Sequence, residues 1–251
     1  MNTIKHFKLT IEYDGTDYHG WQRQRDKITI QGELESVLSL ILNQEIKIAG
    51  SGRTDAGVHA HGQVASFSAQ TSLTPQALLR AVNSLLKKQP IVLREVAPVS
   101  GDFHAQYSAQ SKEYHYWILN QKIPSAIDAR YLWHIHQALD IEVIKACCEV
   151  VTGVHDFKSF ENVGSPRSST IREIFSASVE KRQNHRLCIK VCASGFLKNM
   201  VRNLVGSFVA AGRGKLSAAQ FKKVLEAKDR TLADATAPAR GLFLHRVNYP
   251  D

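Results

Sequence analysis

One carboxylate, Asp55, lies in a glycine-rich segment that could carry chemistry. The run from Ala49 to Ala60, AGSGRTDAGVHA, places Asp55 among three glycines and two residues after Arg53. Glycine allows positive φ and a close approach of the backbone to a ligand. A loop of this kind, entered from a β-strand, can present one side chain to a substrate. The alternative is an ordinary surface turn, because Asp and Gly dominate turns.

A basic side chain could hold this carboxylate ionised and oriented. Arg53 can project the same way as Asp55, and Arg202 lies on the amphipathic segment 196–203. A guanidinium beside a carboxylate favours its charged form, which a nucleophilic or basic aspartate requires. The alternative for Arg202 is a solvated cation on a helix face.

Three histidines, His59, His61 and His104, raise the possibility of a metal site. His59 and His61 are two residues apart, which suits one face of a strand. However, the sequence has no HExxH run and no companion carboxylates at a recognised interval, and it also lacks a P-loop and a nucleophile elbow. We therefore expect no metal site.

The loop 14–27 interleaves aromatic, amide and arginine side chains. This mixture suits stacking on bases and contact with phosphates, and the alternative is a polar loop with Trp21 packed into the core. The net charge of +9, concentrated in residues 101–251, favours a polyanionic partner such as nucleic acid.

The composition is that of a globular protein, with 43% hydrophobic and 22% charged residues among 251. The sequence has no apolar run of membrane-spanning length and no signal-peptide pattern, so we expect a cytoplasmic protein. The cysteines do not follow zinc spacing and are predicted to be buried, reduced thiols; they are Cys147, Cys148, Cys188 and Cys192.

Hydrophobic periodicity predicts an α+β fold of two β-α-β-β-α-β halves, the ferredoxin-like pattern, which could join their sheets. The predicted domains are residues 1–104 and 105–251. In the first half we predict strands over 7–13, 45–49, 63–69 and 91–96, with helices capped by Thr29 and Thr74. In the second half we predict strands over 112–120, 171–180, 186–192 and 241–248. Helices are predicted there over 141–151, 196–211 and 217–227, and a hairpin turn at Gln183 and Asn184.

Six motifs in order resemble the TruA family of tRNA pseudouridine synthases, from about residue 7 to residue 250. The most specific is GRTDAGVH, which contains Asp55. The others are YDGT with YHGWQ near the N-terminus, FHA at residue 103, KEYHY at residue 112, FLKNMVR at residue 196 and APARGL at residue 237.

This resemblance implies a pseudouridine synthase fold, with the two halves forming an extended, mixed but mainly antiparallel sheet flanked by helices. It implies an isomerase that converts uridine to pseudouridine at positions 38, 39 and 40 of the tRNA anticodon stem-loop. The base is flipped out, its glycosidic bond is cleaved and it is rejoined through C5. The resemblance further implies a homodimer that uses no metal and no organic cofactor.

The resemblance also implies roles for single residues. Asp55 is the nucleophile or the base that starts cleavage, Arg202 pairs with Asp55, and Arg53 helps to extrude the nucleotide. Tyr114 packs on the target base, although Tyr116 shares its strand face and competes for this role. Phosphate contacts are expected from basic residues, namely Arg23, Arg25, Lys27, Arg167, Arg172 and Lys198.

Two other function classes remain as alternatives from the sequence. A non-catalytic RNA-binding protein with tandem sheet domains would carry paired aromatics in an RNP1 strand pattern, which the sequence does not show. A metal-dependent hydrolase would use the three histidines, and sensitivity to a chelator would separate it from a synthase.

Overall fold

The computed structural model describes residues 4–162, 164 and 169–250. The chain forms two compact units, residues 1–110 with 243–251 (unit 1) and residues 111–242 (unit 2). The last strand therefore groups with the first part of the chain, whereas the sequence placed it in the domain 105–251. The fold class is confirmed as α+β, because five α-helices in the described part of the chain accompany strands that pair mainly in antiparallel fashion.

Unit 1 contains a sheet in the order β4-β1-β3-β10, with β2 paired to β3. Its strands are β1 Ile4–Tyr13, β2 Ala49–Gly50, β3 His59–Gln70, β4 Ile91–Val99 and β10 Leu242–Asn248, and its helices are α1 Ile30–Leu42 and α2 Pro75–Leu85. β1 runs antiparallel to both β3 and β4. β10 runs parallel to β3, with Phe243 opposite His59.

Local sequence signals set the helix starts of unit 1 as predicted. The Thr29 side chain accepts a hydrogen bond from the Gly32 amide, and Thr74 accepts one from Ala77 before a proline at the first helical position. The strand predicted over 45–49 is wrong in extent, because only Ala49 and Gly50 pair with β3. This short ladder ends directly before the segment that contains Asp55.

Unit 2 contains a sheet in the order β5-β9-β8-β7, with β6 paired in parallel to β5. Its strands are β5 Ser111–Asn120, β6 Trp133–Ile135, β7 Gly153–Asp156, β8 Ile171–Arg182 and β9 Arg186–Ala193, and its helices are α3 Ile141–Val151, α4 Met200–Gly212 and α5 Ala218–Ala227. The predicted hairpin between β8 and β9 is confirmed, and Asn184 and His185 adopt positive φ at its turn.

Two features of unit 2 differ from the sequence prediction. The helix predicted from residue 196 begins only at Met200, because Asn199 takes a left-handed conformation with φ of 60° and interrupts the helical path. The strands β6 and β7 were missed, since segments of three and four residues show too little alternation to be recognised.

Each unit has a core of its own. In unit 1 the rings of Phe7 and Phe67 stack at 5.2 Å between β1 and β3. In unit 2 the rings of Phe208 and Phe221 join α4 to α5 at 5.3 Å, and Phe160 lies 5.6 Å from Phe221. Among the described residues, no helix has both the length and the apolar character needed to span a bilayer.

The cysteines are free thiols, as predicted. Cys147, Cys148 and Cys188 are buried and Cys192 is half-buried. Burial raises the pKa of Cys147 to about 11 and that of Cys188 to about 12, so these thiols stay protonated and unreactive at neutral pH.

Gly206 allows the segment at Ala235 to approach α4 closely. We therefore expect that no larger residue is tolerated at position 206. A Cβ at Gly206 would overlap the carbonyl oxygen of Ala235, which is backbone and cannot rotate away. We expect Gly206→Ala to lower the free energy of unfolding by about 3 kcal/mol through overpacking. Urea denaturation of the purified chain measures this change.

Gly212→Ala is the matched control in the same helix. Its Cβ would meet mainly the side-chain tip of Ile144, which can move, while alanine favours the helix by about 1 kcal/mol. We expect its stability to change by less than about 1 kcal/mol. Equal losses in the two variants would contradict a specific role for the backbone approach at Ala235.

Candidate active site

Asp55 lies in an irregular loop between β2 and β3 of unit 1. Its side chain is half-buried, whereas Arg53 is exposed and Thr54 is buried. Gly57, two residues later, has a φ of 76° and turns the chain back toward β3, a conformation that favours glycine. The loop thus holds one carboxylate at a partly protected position between a buried residue and a tight turn.

A second loop of unit 1 fixes the backbone on either side of Asp55. The Trp21 amide donates to the Thr54 carbonyl at 3.1 Å, and the Gly57 amide donates to the Tyr18 carbonyl at 3.4 Å. The Tyr13 hydroxyl is hydrogen-bonded to the Thr54 hydroxyl at 2.8 Å. The residues on either side of Asp55 are therefore held by hydrogen bonds from loop 14–27 and from β1.

This arrangement corrects the expectation that the aromatic side chains of loop 14–27 stack on bases. Trp21 is 2% exposed, and its ring packs against the backbone at Gly50. Tyr18 is also buried. Burial of Trp21 was the alternative weighed from the sequence, and these rings support the Asp55 loop from within the protein.

Gln63, which was not predicted from the sequence as a site residue, supports the same loop from β3. Its side-chain oxygen accepts hydrogen bonds from the Ser51 hydroxyl at 2.7 Å and the Val64 amide at 3.1 Å. Its side-chain nitrogen donates to the Gly52 carbonyl at 3.0 Å. A fully buried amide with three bonded partners is costly to disturb. Its position among buried residues of a predicted strand was the available signal.

The three histidines considered as metal ligands have different neighbours. His59 is buried, contacts Asp14 at 3.0 Å and stacks on Phe243. His61 is exposed and stacks on the same ring at 4.9 Å. His104 accepts a hydrogen bond from the Gln106 amide. These contacts assign the histidines to packing and to turn formation.

In unit 2, Tyr114 and Tyr116 follow each other on one face of β5 but have different environments. Tyr116 is fully buried and donates a hydrogen bond to the Pro238 carbonyl at 2.7 Å. Tyr114 is 8% exposed, and its ring meets the edge of Phe196 at 5.0 Å. Tyr116 therefore has a structural hydrogen bond, which favours Tyr114 as the ring that faces a ligand.

Burial raises the pKa of Tyr116 above its ordinary value, although the nearby Arg202 and Arg240 partly offset this effect. Its phenol therefore stays neutral at physiological pH. A neutral hydroxyl is the form that can donate to a carbonyl.

Arg202 lies in the first turn of α4 and is half-buried. Its Nε donates to the Ala237 carbonyl at 2.8 Å, while the Ala237 amide donates to the Arg202 carbonyl at 3.0 Å. The guanidinium is thus oriented by the segment that also receives the Tyr116 hydroxyl. This arrangement does not fit the alternative of an unrestrained, solvated cation.

The residues expected to contact phosphates differ in exposure and in their contacts within the protein. Arg25, Lys27 and Lys198 are exposed. Arg23 is exposed but pairs with the buried Glu35 at 3.0 Å, and Arg172 is half-buried and donates to the Ser169 carbonyl at 3.1 Å. The expected contact by Arg167 lies outside the described residues.

Lys112 is a further cation on β5 that the sequence analysis did not select. It precedes Tyr114 by two residues and therefore shares its strand face. Burial, together with the positive charge of Arg172, lowers the pKa of Lys112 to about 8. Lys112 places a basic side chain two residues before Tyr114 on the same face of β5.

Within unit 1 the structure provides one carboxylate on a fixed loop with an exposed arginine two residues before it. Within unit 2 it provides a largely buried aromatic ring on β5 and an arginine oriented by the backbone. A positioned carboxylate can act as a nucleophile or base, a ring can stack on a base, and a guanidinium can hold an anion.

The family model described as tRNA pseudouridine synthase matches residues 9–108 and 148–250. The chain is 39% identical over 246 residues to tRNA pseudouridine synthase A of Thermoanaerobacter sp. strain X514. It is 41% identical over 253 residues to tRNA pseudouridine synthase A 1 of Desulfotalea psychrophila. Each alignment covers 98% of this chain and 100% of the relative.

Among solved structures, a chain of a Cbf5-Nop10-Gar1 complex is similar over 96% of this chain and 59% of that chain. Its sequence identity is 13% and its TM-score is 0.37.

The Tyr116 hydroxyl predicts a measurable loss of stability on its removal. Tyr116→Phe leaves the Pro238 carbonyl without this donor in a partly buried setting, so we expect the free energy of unfolding to fall by about 1–2 kcal/mol. Tyr107→Phe is the control, since Tyr107 is 79% exposed, and we expect a change below about 0.5 kcal/mol. Urea unfolding compares the two, and an unchanged Tyr116→Phe would contradict the structural role.

Proposed function

The chain belongs to the tRNA pseudouridine synthase family, and on that premise we propose that it isomerises uridine to pseudouridine at positions 38, 39 and 40 of the tRNA anticodon stem-loop. The observation that carries this proposal is the match to relatives of that name over their full length. The loop geometry around Asp55 supports it, because hydrogen bonds from β1, β3 and the loop 14–27 hold the family motif GRTDAGVH.

The reaction requires the target base to leave the helical stack. A base inside a stem cannot turn about its glycosidic bond, so the enzyme must flip the nucleotide out first. An aromatic ring can then replace part of the lost stacking. We assign this contact to Tyr114, whose ring packs against Phe196 in a T-shaped arrangement.

Asp55 supplies the chemical step in this proposal. The N1–C1′ bond breaks, the detached uracil turns, and a new bond forms between C5 and C1′. The hydrogen on C5 leaves as a proton and N1 gains a proton, so the atoms of substrate and product balance. Asp55 starts the sequence in one of two ways. As a nucleophile it bonds to C1′ when N1 leaves, and this bond breaks when C5 attacks C1′; as a base it removes a proton from the sugar and returns it once C5 has bonded. Both roles need an ionised carboxylate in a fixed place.

Cations complete the site. We assign Arg202 to pairing with Asp55, and Arg53 to extrusion of the nucleotide. The exposed Arg25, Lys27 and Lys198 would contact RNA phosphates with a salt-dependent affinity. The proposal includes a cytoplasmic homodimer that acts on tRNA without a metal or organic cofactor.

The central test is a uridine-isomerisation assay on unmodified tRNA with the parent chain and Asp55→Asn. The substitution preserves size but removes the ionised carboxylate, so we expect the rate to fall by more than about 10³-fold. Binding of tRNA should change little, because the loop backbone is held by contacts that do not involve this side chain. Release of tritium from C5-labelled uridine measures the rate, and filter binding measures the affinity.

Asp102→Asn is the matched control in unit 1. Asp102 is exposed, and Ser100 donates a hydrogen bond to it. We expect parent activity in this variant. Turnover near the parent rate in Asp55→Asn would contradict the assigned role of Asp55.

Replacement of Tyr114 tests the stacking contact. Tyr114→Leu removes a stacking contribution of about 1–3 kcal/mol and should lower kcat/KM by about 5- to 150-fold. Tyr114→Phe keeps the ring, so its KM should stay within about twofold of the parent value. Steady-state kinetics on the same tRNA compare the variants, and parent kcat/KM in Tyr114→Leu would remove Tyr114 from the site.

A further inference from the structure

Arg230 lies at the centre of a polar cluster in unit 2 that none of the roles above explains. Its Nε donates to the Asn162 side chain at 3.2 Å. One terminal nitrogen donates to the carbonyls of Ala233 and Asp234, at 3.1 and 3.3 Å. The other donates to the side-chain oxygens of Asn203 and Thr236, both at 3.1 Å. The guanidinium thus has five acceptors.

These acceptors belong to three parts of the chain that are distant in sequence. Asn203 is fully buried on α4, and its side-chain nitrogen donates to the Phe160 carbonyl at 2.8 Å and to Asn162 at 3.0 Å. Its side-chain oxygen also accepts from the Thr236 hydroxyl at 2.6 Å. Arg230 therefore joins α4, the segment at residue 162 and residues 233–236.

The segment 233–237 is in turn fixed along one side of α4. The Asp234 amide donates to the Ser207 hydroxyl at 3.3 Å, and Gly206 leaves room for the Ala235 carbonyl. At its end, Ala237 exchanges two hydrogen bonds with Arg202, one of them from the Arg202 Nε. The orientation of the Arg202 guanidinium thus depends on where this segment lies.

We propose that Arg230 is a positioning residue for Arg202, and that it acts by holding residues 233–237 against α4 so that the Ala237 carbonyl orients the Arg202 side chain. This inference rests on the proposed function, in which Arg202 serves the reaction of Asp55. Arg230 itself touches no reacting atom in it.

Arginine suits this role better than other residue types. Its planar fork offers five N–H donors in fixed directions and no acceptor, which matches a ring of oxygens supplied by two carbonyls and three side chains. A lysine at this position has three donors on one atom and cannot reach both sides of the cluster. Loss of the guanidinium removes one donor from each of these partly buried oxygens, and the segment can shift.

The test measures single-turnover rate and tRNA affinity for Arg230→Gln, Arg202→Gln and the double variant. A displacement of about 1 Å at a reacting group can lower a rate about 10²-fold, so we expect a loss of that order in Arg230→Gln with tRNA affinity within about twofold of the parent. In the Arg202→Gln background, the same change should lower the rate by less than about twofold, because the residue that it positions is absent.

A purely structural role would give a different pattern, in which the loss from Arg230→Gln is the same in both backgrounds. That additive result overturns the inference. Arg186→Gln is the matched control, since Arg186 is a paired arginine of unit 2 on β9, bonded to Asp128 at 2.6 Å. We expect its rate to match the parent.

If Arg230→Gln does not fold, as judged by circular dichroism and thermal unfolding, Thr236→Val replaces it. This variant keeps the side-chain shape but loses the hydroxyl bonded to Arg230 and Asn203. Its rate should fall about tenfold in the parent and less than about twofold in Arg202→Gln. A parent chain that is inactive on every tRNA uridine contradicts the proposed function itself, whereas an active parent with additive losses contradicts only the role of Arg230.

Discussion

The fixed position of Thr54 is the constraint on which the candidate site depends. The Thr54 carbonyl accepts a hydrogen bond from the Trp21 amide, and the Thr54 side-chain hydroxyl is hydrogen-bonded to the Tyr13 hydroxyl. Because both groups are engaged, the peptide that leads into Asp55 cannot rotate without breaking a buried hydrogen bond, which costs about 1–3 kcal/mol. Gly20 has a φ of 85° and lies against the Thr54 carbonyl, where a side chain would collide. A glycine outside the family motif GRTDAGVH is thus needed to hold the motif in place.

In unit 2, too, hydrogen bonds to main-chain groups hold the side chains of the candidate site. There the backbone of Ala237 is bonded to Arg202 in both directions, and the Pro238 carbonyl accepts from Tyr116. In each unit a side chain with a proposed role, or the residues beside it, is held by main-chain groups, whose positions are set by the fold. Such support leaves less freedom than contacts between two flexible side chains, which lose more conformational entropy on ordering.

The sequence predicted the features that local signals determine. Thr29 and Thr74 cap helices as expected, because capping depends on residues within one turn. The contacts of Gln63 with Ser51 and Gly52 could not be found this way, because tertiary folding brings these residues together. The same holds for the contacts of Arg230 with Asn162 and Asn203. The parallel pairing of β10 with β3 joins residues at opposite ends of the chain and has no local signal either. The composition of loop 14–27 favoured exposed aromatics, but the close packing of Trp21 on Gly50 decided their burial.

Buried polar residues hold the structure in place through hydrogen bonds, whereas exposed basic residues can adjust to a ligand. Tyr13, Gln63, Tyr116 and Asn203 are buried, and each hydrogen-bonds within the protein. Burial raises the pKa of both tyrosines, so they brace the structure as neutral groups at physiological pH and add no charge. The exposed arginines and lysines have long, mobile side chains that can follow a phosphate backbone. The proposed isomerisation needs both properties, because the carboxylate assigned to the chemical step must stay in place while the RNA substrate changes shape.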